Sequence, residues 1–184
     1  MSCDLTNGRL LDECLVGRAG IKTLFFTKLA DFRALTGVVE AAGEITDLGT
    51  DAITFHRFEM ADNVGNFEQA VNASNDNGTA YIAQTLTLTL FNIKPADLAD
   101  LNNLKTGRWT IVTLDFEGKM RVFGRNNGCT SNGGSETSGA AAADKKGLDI
   151  TFIAEENDYA VFLEDYTTVP FDNFTNVTVT PSYS

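Results

Sequence analysis

A chain of 184 residues with 43% hydrophobic content fits one domain and has enough apolar material for a real core, which excludes a disordered chain and argues against two domains. Twenty-five acidic residues against 14 Lys and Arg leave a net charge of −11, and no basic stripe of the kind that neutralises phosphates is present. DNA is excluded as a tightly held ligand, though not as a passenger that slides past without adhering.

The acidity is concentrated at one end. Residues 147–184 contain Asp149, Glu155, Glu156, Asp158, Glu164, Asp165 and Asp172 and no Lys or Arg. Like charge of this kind keeps proteins dispersed in solution. No stretch approaches the roughly 20 apolar residues of a membrane helix, so no direct membrane insertion is expected. The opening Met1-Ser2-Cys3-Asp4-Leu5-Thr6-Asn7-Gly8 lacks the positive start and apolar run of a secretory leader, so synthesis in a cytoplasm is expected. The Asn-x-Ser/Thr matches at Asn72, Asn77, Asn173 and Asn176 then carry no glycosylation meaning.

The periodicity along the chain is mostly that of strands. Residues 21–27 are rich in β-formers, and residues 52–58 alternate Ile53, Phe55 and Arg57 against Thr54, His56 and Phe58. The clearest signal is residues 79–90, where Ile82, Leu86, Leu88 and Leu90 share one parity and Thr85, Thr87 and Thr89 the other. Successive side chains of a strand point to opposite faces, so this segment predicts a buried leucine face and a polar threonine face. Its length, about twice the usual strand, suits a large sheet or a barrel wall.

Residues 94–105 predict a helix. Leu98, Leu101 and Leu104 recur every third residue, Pro95 suits the first turn, and Gly107 lies just past the end. Residues 109–115 and 119–123 predict a hairpin joined by Phe116-Glu117-Gly118. Strands follow at 148–154 and 159–163, and residues 173–180, with Val177 and Val179 alternating with Thr, suit an edge strand or an arm. Residues 126–143 are small and polar and read as one long loop, ordered by neighbours that pack on it. Its glycines form no phosphate-binding fingerprint, since no Gly-Lys-Ser/Thr follows.

Little in the inventory suits catalysis, and no catalytic, cofactor-binding or metal residue is expected. His56, the single histidine, sits beside Arg57 with no Ser or Cys motif nearby. Glu155-Glu156 and Glu164-Asp165 are adjacent pairs, which in a strand point to opposite faces and cannot work together as acid and base. Cys3, Cys14 and Cys129 are odd in number and match no zinc or redox spacing. They read as small buried hydrophobes, with a Cys3–Cys14 bond open only in an oxidising setting.

The order of several fragments resembles a known family. Cys3-Asp4-Leu5-Thr6-Asn7-Gly8-Arg9 with Cys14, then Gly20-Ile21-Lys22 and Glu44-Ile45-Thr46-Asp47-Leu48, look like tail tube or major tail proteins of bacteriophages of Bacteroidetes. The similarity continues through Phe67-Glu68-Gln69, Asn77-Gly78-Thr79, the threonine-leucine alternation to Leu90, Gly133-Gly134, Gly139 and Leu148-Asp149-Ile150-Thr151-Phe152-Ile153-Ala154-Glu155. It spans most of the first 155 residues, and the C-terminus from Tyr166 is longer than the pattern.

The resemblance implies a mainly β fold, a sandwich or barrel with one flanking helix near residues 95–105. The tail-tube-like domain is expected over residues 1–165, with an N-terminal arm at 1–17 and the long loop at 126–143, followed by a C-terminal extension at 166–184. It further implies a virion structural protein, made in the host bacterial cytoplasm, whose copies form stacked, usually hexameric rings that conduct DNA. Its partners are then further copies of itself and other phage tail proteins. Under it, the arm, the loop and the extension are the expected contacts between subunits. The alternative is a monomeric β-sandwich that binds carbohydrate or a host receptor, with Trp109, Tyr81 and Tyr159 as stacking faces.

Overall fold

A computed structural model describes residues 17–62, 64–141 and 143–183. The expected N-terminal arm, with Cys3 and Cys14, lies outside the described residues apart from Gly17. The chain forms β1 (Ile21–Lys28), α1 (Leu29–Arg33), β2 (Val38–Ala41), β3 (Glu44–Leu48), β4 (Ile53–Glu59), β5 (Asn66–Ser74) and β6 (Thr79–Phe91). A single 3-10 turn at Pro95–Asp97 leads into α2 (Leu98–Leu104). Then come β7 (Trp109–Asp115), β8 (Met120–Phe123), β9 (Thr130–Thr137), β10 (Gly147–Glu156), β11 (Val161–Leu163) and β12 (Val177–Thr180). The fold is mainly β with two short helices, α2 lying where the leucine spacing put it and α1 not expected from the sequence, and neither sheet closes into a barrel.

One sheet has eight strands in the order β12-β4-β1-β7-β8-β11-β3-β2; the other has four, β5-β6-β10-β9. They pack through a shared apolar layer. Leu24, Phe26, Ile111 and Phe123 from the larger sheet meet Leu86, Leu88, Ile150 and Phe152 from the smaller, with Leu101 and Leu104 of α2 at its margin. Ring centroids of Phe26 and Phe152 lie 5.3 Å apart, and those of Phe67 and Phe123 5.0 Å. Leu98, the first of the leucine stripe, is half exposed, so the helix buries only its last turn and a half.

The larger sheet has a second core on its other face. Phe25, Val112, Leu114, Met120 and Val122 from its centre join Ile53 and Phe55 of β4 and Ile45 and Leu48 of β3. Residues 49–52 alone join β3 to β4, a reach of at most about 17 Å. Five steps across a flat sheet would separate those strands by about 24 Å, so the sheet curls around this core. Phe32 of α1 and the C-terminal segment seal it.

That C-terminal segment departs from the sequence expectation. Residues 166–184 were expected as an extension that contacts other subunits, yet Phe171 and Phe174 are buried in the second core and β12 pairs in parallel with β4. Asn176 Nδ2 donates to the carbonyls of Leu48 and Asp51, clamping the segment across the β3–β4 connection. The described part of the segment belongs to the domain, and the expected edge strand at 173–180 is β12. Burial of the two phenylalanines, a few kcal/mol each, offsets part of the entropy of ordering the segment, and β12 pairing and the Asn176 hydrogen bonds add to it.

The long loop expected at 126–143 also proves partly ordered within the chain. Its centre is β9, paired with β10 from Gly147↔Thr137 to Ile153↔Thr130, with an irregularity between Ile150 and Phe152. Composition concealed the strand because Gly133-Gly134 reads as loop. A Cβ on Gly134 would lie 2.3 Å from the carbonyl oxygen of Asp149, so glycine is what lets the two backbones approach at the bulge. Gly134→Val should therefore detach β9 while leaving both cores intact. The check is amide hydrogen exchange, with residues 130–137 losing protection and β1 and β7 keeping theirs.

Candidate assembly edges and the threonine face

The four-stranded sheet carries the chemistry of interest on its outer face. Along the 13 residues of β6, Ile82, Gln84, Leu86 and Leu88 point inward and are buried, while Thr85 and Thr87 point outward. The register places Glu68 opposite Thr85 and Asn66 opposite Thr87 on one side. On the other it places Glu155 opposite Ala83, Thr151 opposite Thr87 and Asp149 opposite Thr89. Directly opposed residues share a face, so this surface carries hydroxyls, amides and carboxylates, with Ile153 opposite Thr85 and Ala83 opposite Ala70 among them. No Lys or Arg occurs anywhere in β5, β6, β9 or β10. The Asp149 carboxylate is paired with Lys145 and accepts from Thr89 Oγ1 at 2.6 Å, and both contacts hold it below its ordinary value.

The same sheet ends on two long strands, each with one side unpaired. β5 has nine residues and β9 eight, against four each for β12 and β2 at the ends of the larger sheet. Proteins commonly blunt such edges with proline or lysine, because unpaired N–H and C=O groups template another strand. Neither β5 nor β9 contains either residue. The far half of β5 is exposed on both faces, with Val71 at 58% and Tyr81 of β6 at 38% exposure. This hairpin end projects beyond the core.

A buried polar network that was not foreseen from the sequence holds the β8–β9 connection against the sheet. Gln84 Oε1 accepts the Gly124 N–H at 3.0 Å, and its Nε2 donates to the carbonyl of Asp158 at 3.3 Å. Glu156 Oε1 accepts the N–H groups of Asn126 and Asn127 at 2.9 and 2.8 Å. The available signal was Gln84 itself, a polar residue on the leucine parity of β6, which can be buried only if both ends of its amide are satisfied.

The structure separates the residues weighed for other functions. His56 is exposed and borders a cleft of about 350 Å³ with Asp31, Thr54 and Asp100, which contains no serine or cysteine. Glu155 is exposed while Glu156 is buried. Glu164 accepts from Asn173 Nδ2 and Asp165 pairs with Lys119, so neither adjacent carboxylate pair converges. Trp109 is buried, with its indole N–H donating to the Leu104 carbonyl at 3.2 Å, and offers no stacking face. Tyr81 and Tyr159 are exposed. Burial pushes the Cys129 thiol up and keeps it protonated. Among the described residues no group of His, Cys, Asp and Glu could hold a metal, and no helix is long and apolar enough to cross a membrane.

No protein family, curated protein or solved structure matches the chain. Function must therefore be argued from the surfaces themselves.

One of the acidic residues that crowd the C-terminal end has a structural duty. The Asp172 carboxylate accepts the N–H groups of Thr167, Thr168 and Val169 at 2.9, 2.6 and 3.2 Å, which hold it below its ordinary value of 3.8. A depressed folded-state value contributes stability above the unfolded value, lost as the pH falls through the folded one. The melting temperature of Asp172→Asn should therefore lie below that of the parent near neutrality, and the gap should close on acidification below about pH 4. Thermal melts of both proteins across that range check it.

Proposed function

We propose that this chain is a tail-tube-type structural protein of a virion, whose copies self-assemble into stacked rings around a conduit for DNA. The observation that carries the reading is the pair of long edges on one sheet, both free of proline and lysine. Strand addition from β5 of one copy to β9 of the next satisfies the backbone groups of both, and closing the ring leaves no edge over. The hexameric count comes from the family resemblance.

The threonine face suits the interior of such a ring. It carries Glu68, Asp149 and Glu155 among hydroxyls and amides, and its strands contain no cation. A polyanion passing such a wall meets mainly negative charge, Lys145 being already paired with Asp149, which keeps DNA a non-sticking passenger. The rival binding-module reading loses one of its three stacking candidates with the burial of Trp109 and keeps Tyr81 and Tyr159.

Mass and shape of the purified chain test this reading, by light scattering with negative-stain microscopy over a concentration series. Rings or tubes of uniform diameter, with a lumen wide enough for duplex DNA, are expected. A monodisperse monomer at every concentration contradicts the reading.

A further inference from the structure

β7 of the larger sheet is bracketed by opposite charges, Arg108 just before it and Asp115 at its end, while its neighbour β1 carries Lys22 and Lys28 near its two ends. β1 and β7 run antiparallel, with Lys28 opposite Trp109 at one end and Ile21 opposite Asp115 at the other, about 20 Å apart. At the first end Lys28, Arg33 and Arg108 border a cleft of about 540 Å³ that contains no acidic residue. All three are exposed, and none forms an ion pair with a described residue. This is unusual in a chain with so few cations and a net charge of −11.

The opposite end gathers four carboxylates, together with Lys22 of β1 and Arg18, whose guanidinium lies over the Phe116 ring at 3.9 Å. Glu44, Asp115, Glu117 and Asp165 surround a second cleft, where Lys119 is already paired with Asp165 and Arg121 lies over the Phe162 ring at 4.2 Å. Glu117 is exposed at the tip of the β7–β8 turn. That turn is rigid, because Asp115 Oδ1 accepts the N–H groups of Glu117 and Lys119 at 2.9 and 2.8 Å and Gly118 takes a φ of 84°.

We propose that copies stack head to tail through these ends, the cleft of Lys28, Arg33 and Arg108 receiving the acidic β7–β8 turn of a second copy. The inference rests on the tube reading and deepens it: lateral joining uses the edges of the four-stranded sheet and leaves both ends of β1 and β7 available. A second copy is the occupant because the same chain presents the matching charge on a preordered turn. The contact is heterologous and does not close on itself, so it propagates along an axis and gives the stack a direction. Opposed clusters of this kind also steer approach and reject the inverted, like-charged orientation.

The test combines salt dependence with charge reversal, using sedimentation velocity and negative-stain microscopy at about 50 and 500 mM salt, where screening differs severalfold. The proteins are the parent, Arg33→Glu with Arg108→Glu, Glu44→Lys with Glu117→Lys, and an equal mixture of the two variants. Parent stacks should shorten about tenfold at high salt, each variant alone should fail to stack, and the mixture should restore stacking at low salt. Thermal melts establish that each variant is folded. Rings whose stacking ignores salt and charge reversal overturn this inference and leave the tube reading standing. Salt-sensitive linear chains without rings do the reverse, and a parent that stays monomeric at low salt overturns both.

Discussion

Phe171→Ala should lower the stability of the chain by about 3–5 kcal/mol, the range for removing a fully buried aromatic ring. Phe171 is 3% exposed; its ring stacks on Phe55 at 4.8 Å and meets Phe25 edge-on at 5.0 Å, which places it at the centre of the curled sheet. The void left by alanine would face residues on β1 and β4 that cannot collapse without distorting the sheet. Phe171 also holds a left-handed φ of 71°, a conformation that costs a non-glycine residue about 1–2 kcal/mol. Alanine keeps that strain and loses the ring, so Phe171→Gly should be less damaging than alanine by about 1 kcal/mol. Deletion of residues 166–184 removes Phe171, Phe174 and β12 together and should leave no cooperative unfolding transition. Urea denaturation of the two point variants and the deletion checks all three; a deletion protein that unfolds like the parent would show that the second core stands without its seal.

The second large effect is on assembly. In an antiparallel pair, successive N–H groups of an edge strand point alternately to the partner and to open space. Of Ala70→Pro and Val71→Pro, one therefore breaks a β5–β6 hydrogen bond and the other removes only an outward donor. The better folded of the two, judged by thermal melting within a few degrees of the parent, should still lose ring formation almost completely. Proline both removes the donor and places its ring where a neighbouring strand would lie. Negative-stain microscopy at a concentration where the parent assembles decides the matter. Unimpaired rings from the well-folded variant would exclude β5 as the joining edge.

How much of this was legible in the residues follows from how each element is buried. β6 was legible because its two faces differ in environment: leucine inward and threonine outward restate the geometry of the sheet. The β7–β8 hairpin was legible from Gly118 between two β-rich runs. β5 was not read as a strand because its far half is exposed on both faces, so Val71 and Ala73 follow no pattern of burial. β9 was hidden by Gly134, whose missing side chain is a requirement of the strand and was taken for a loop signal. The C-terminal segment was misplaced because Phe171 and Phe174 lie in irregular backbone, where no periodicity announces burial. The candidate assembly edges were legible only in part: strand length and alternation identified the sheet, but which strands end it depends on topology, and that is a property of long-range pairing.

The central claim, that copies join through the open edges of the four-stranded sheet, is tested most directly by hydrogen–deuterium exchange on dilute and assembled protein. The account predicts that residues 66–74 and 130–137 gain protection together on assembly, while residues 177–180, at the edge of the other sheet, do not change. Assembly with no added protection in 66–74 and 130–137 would contradict it.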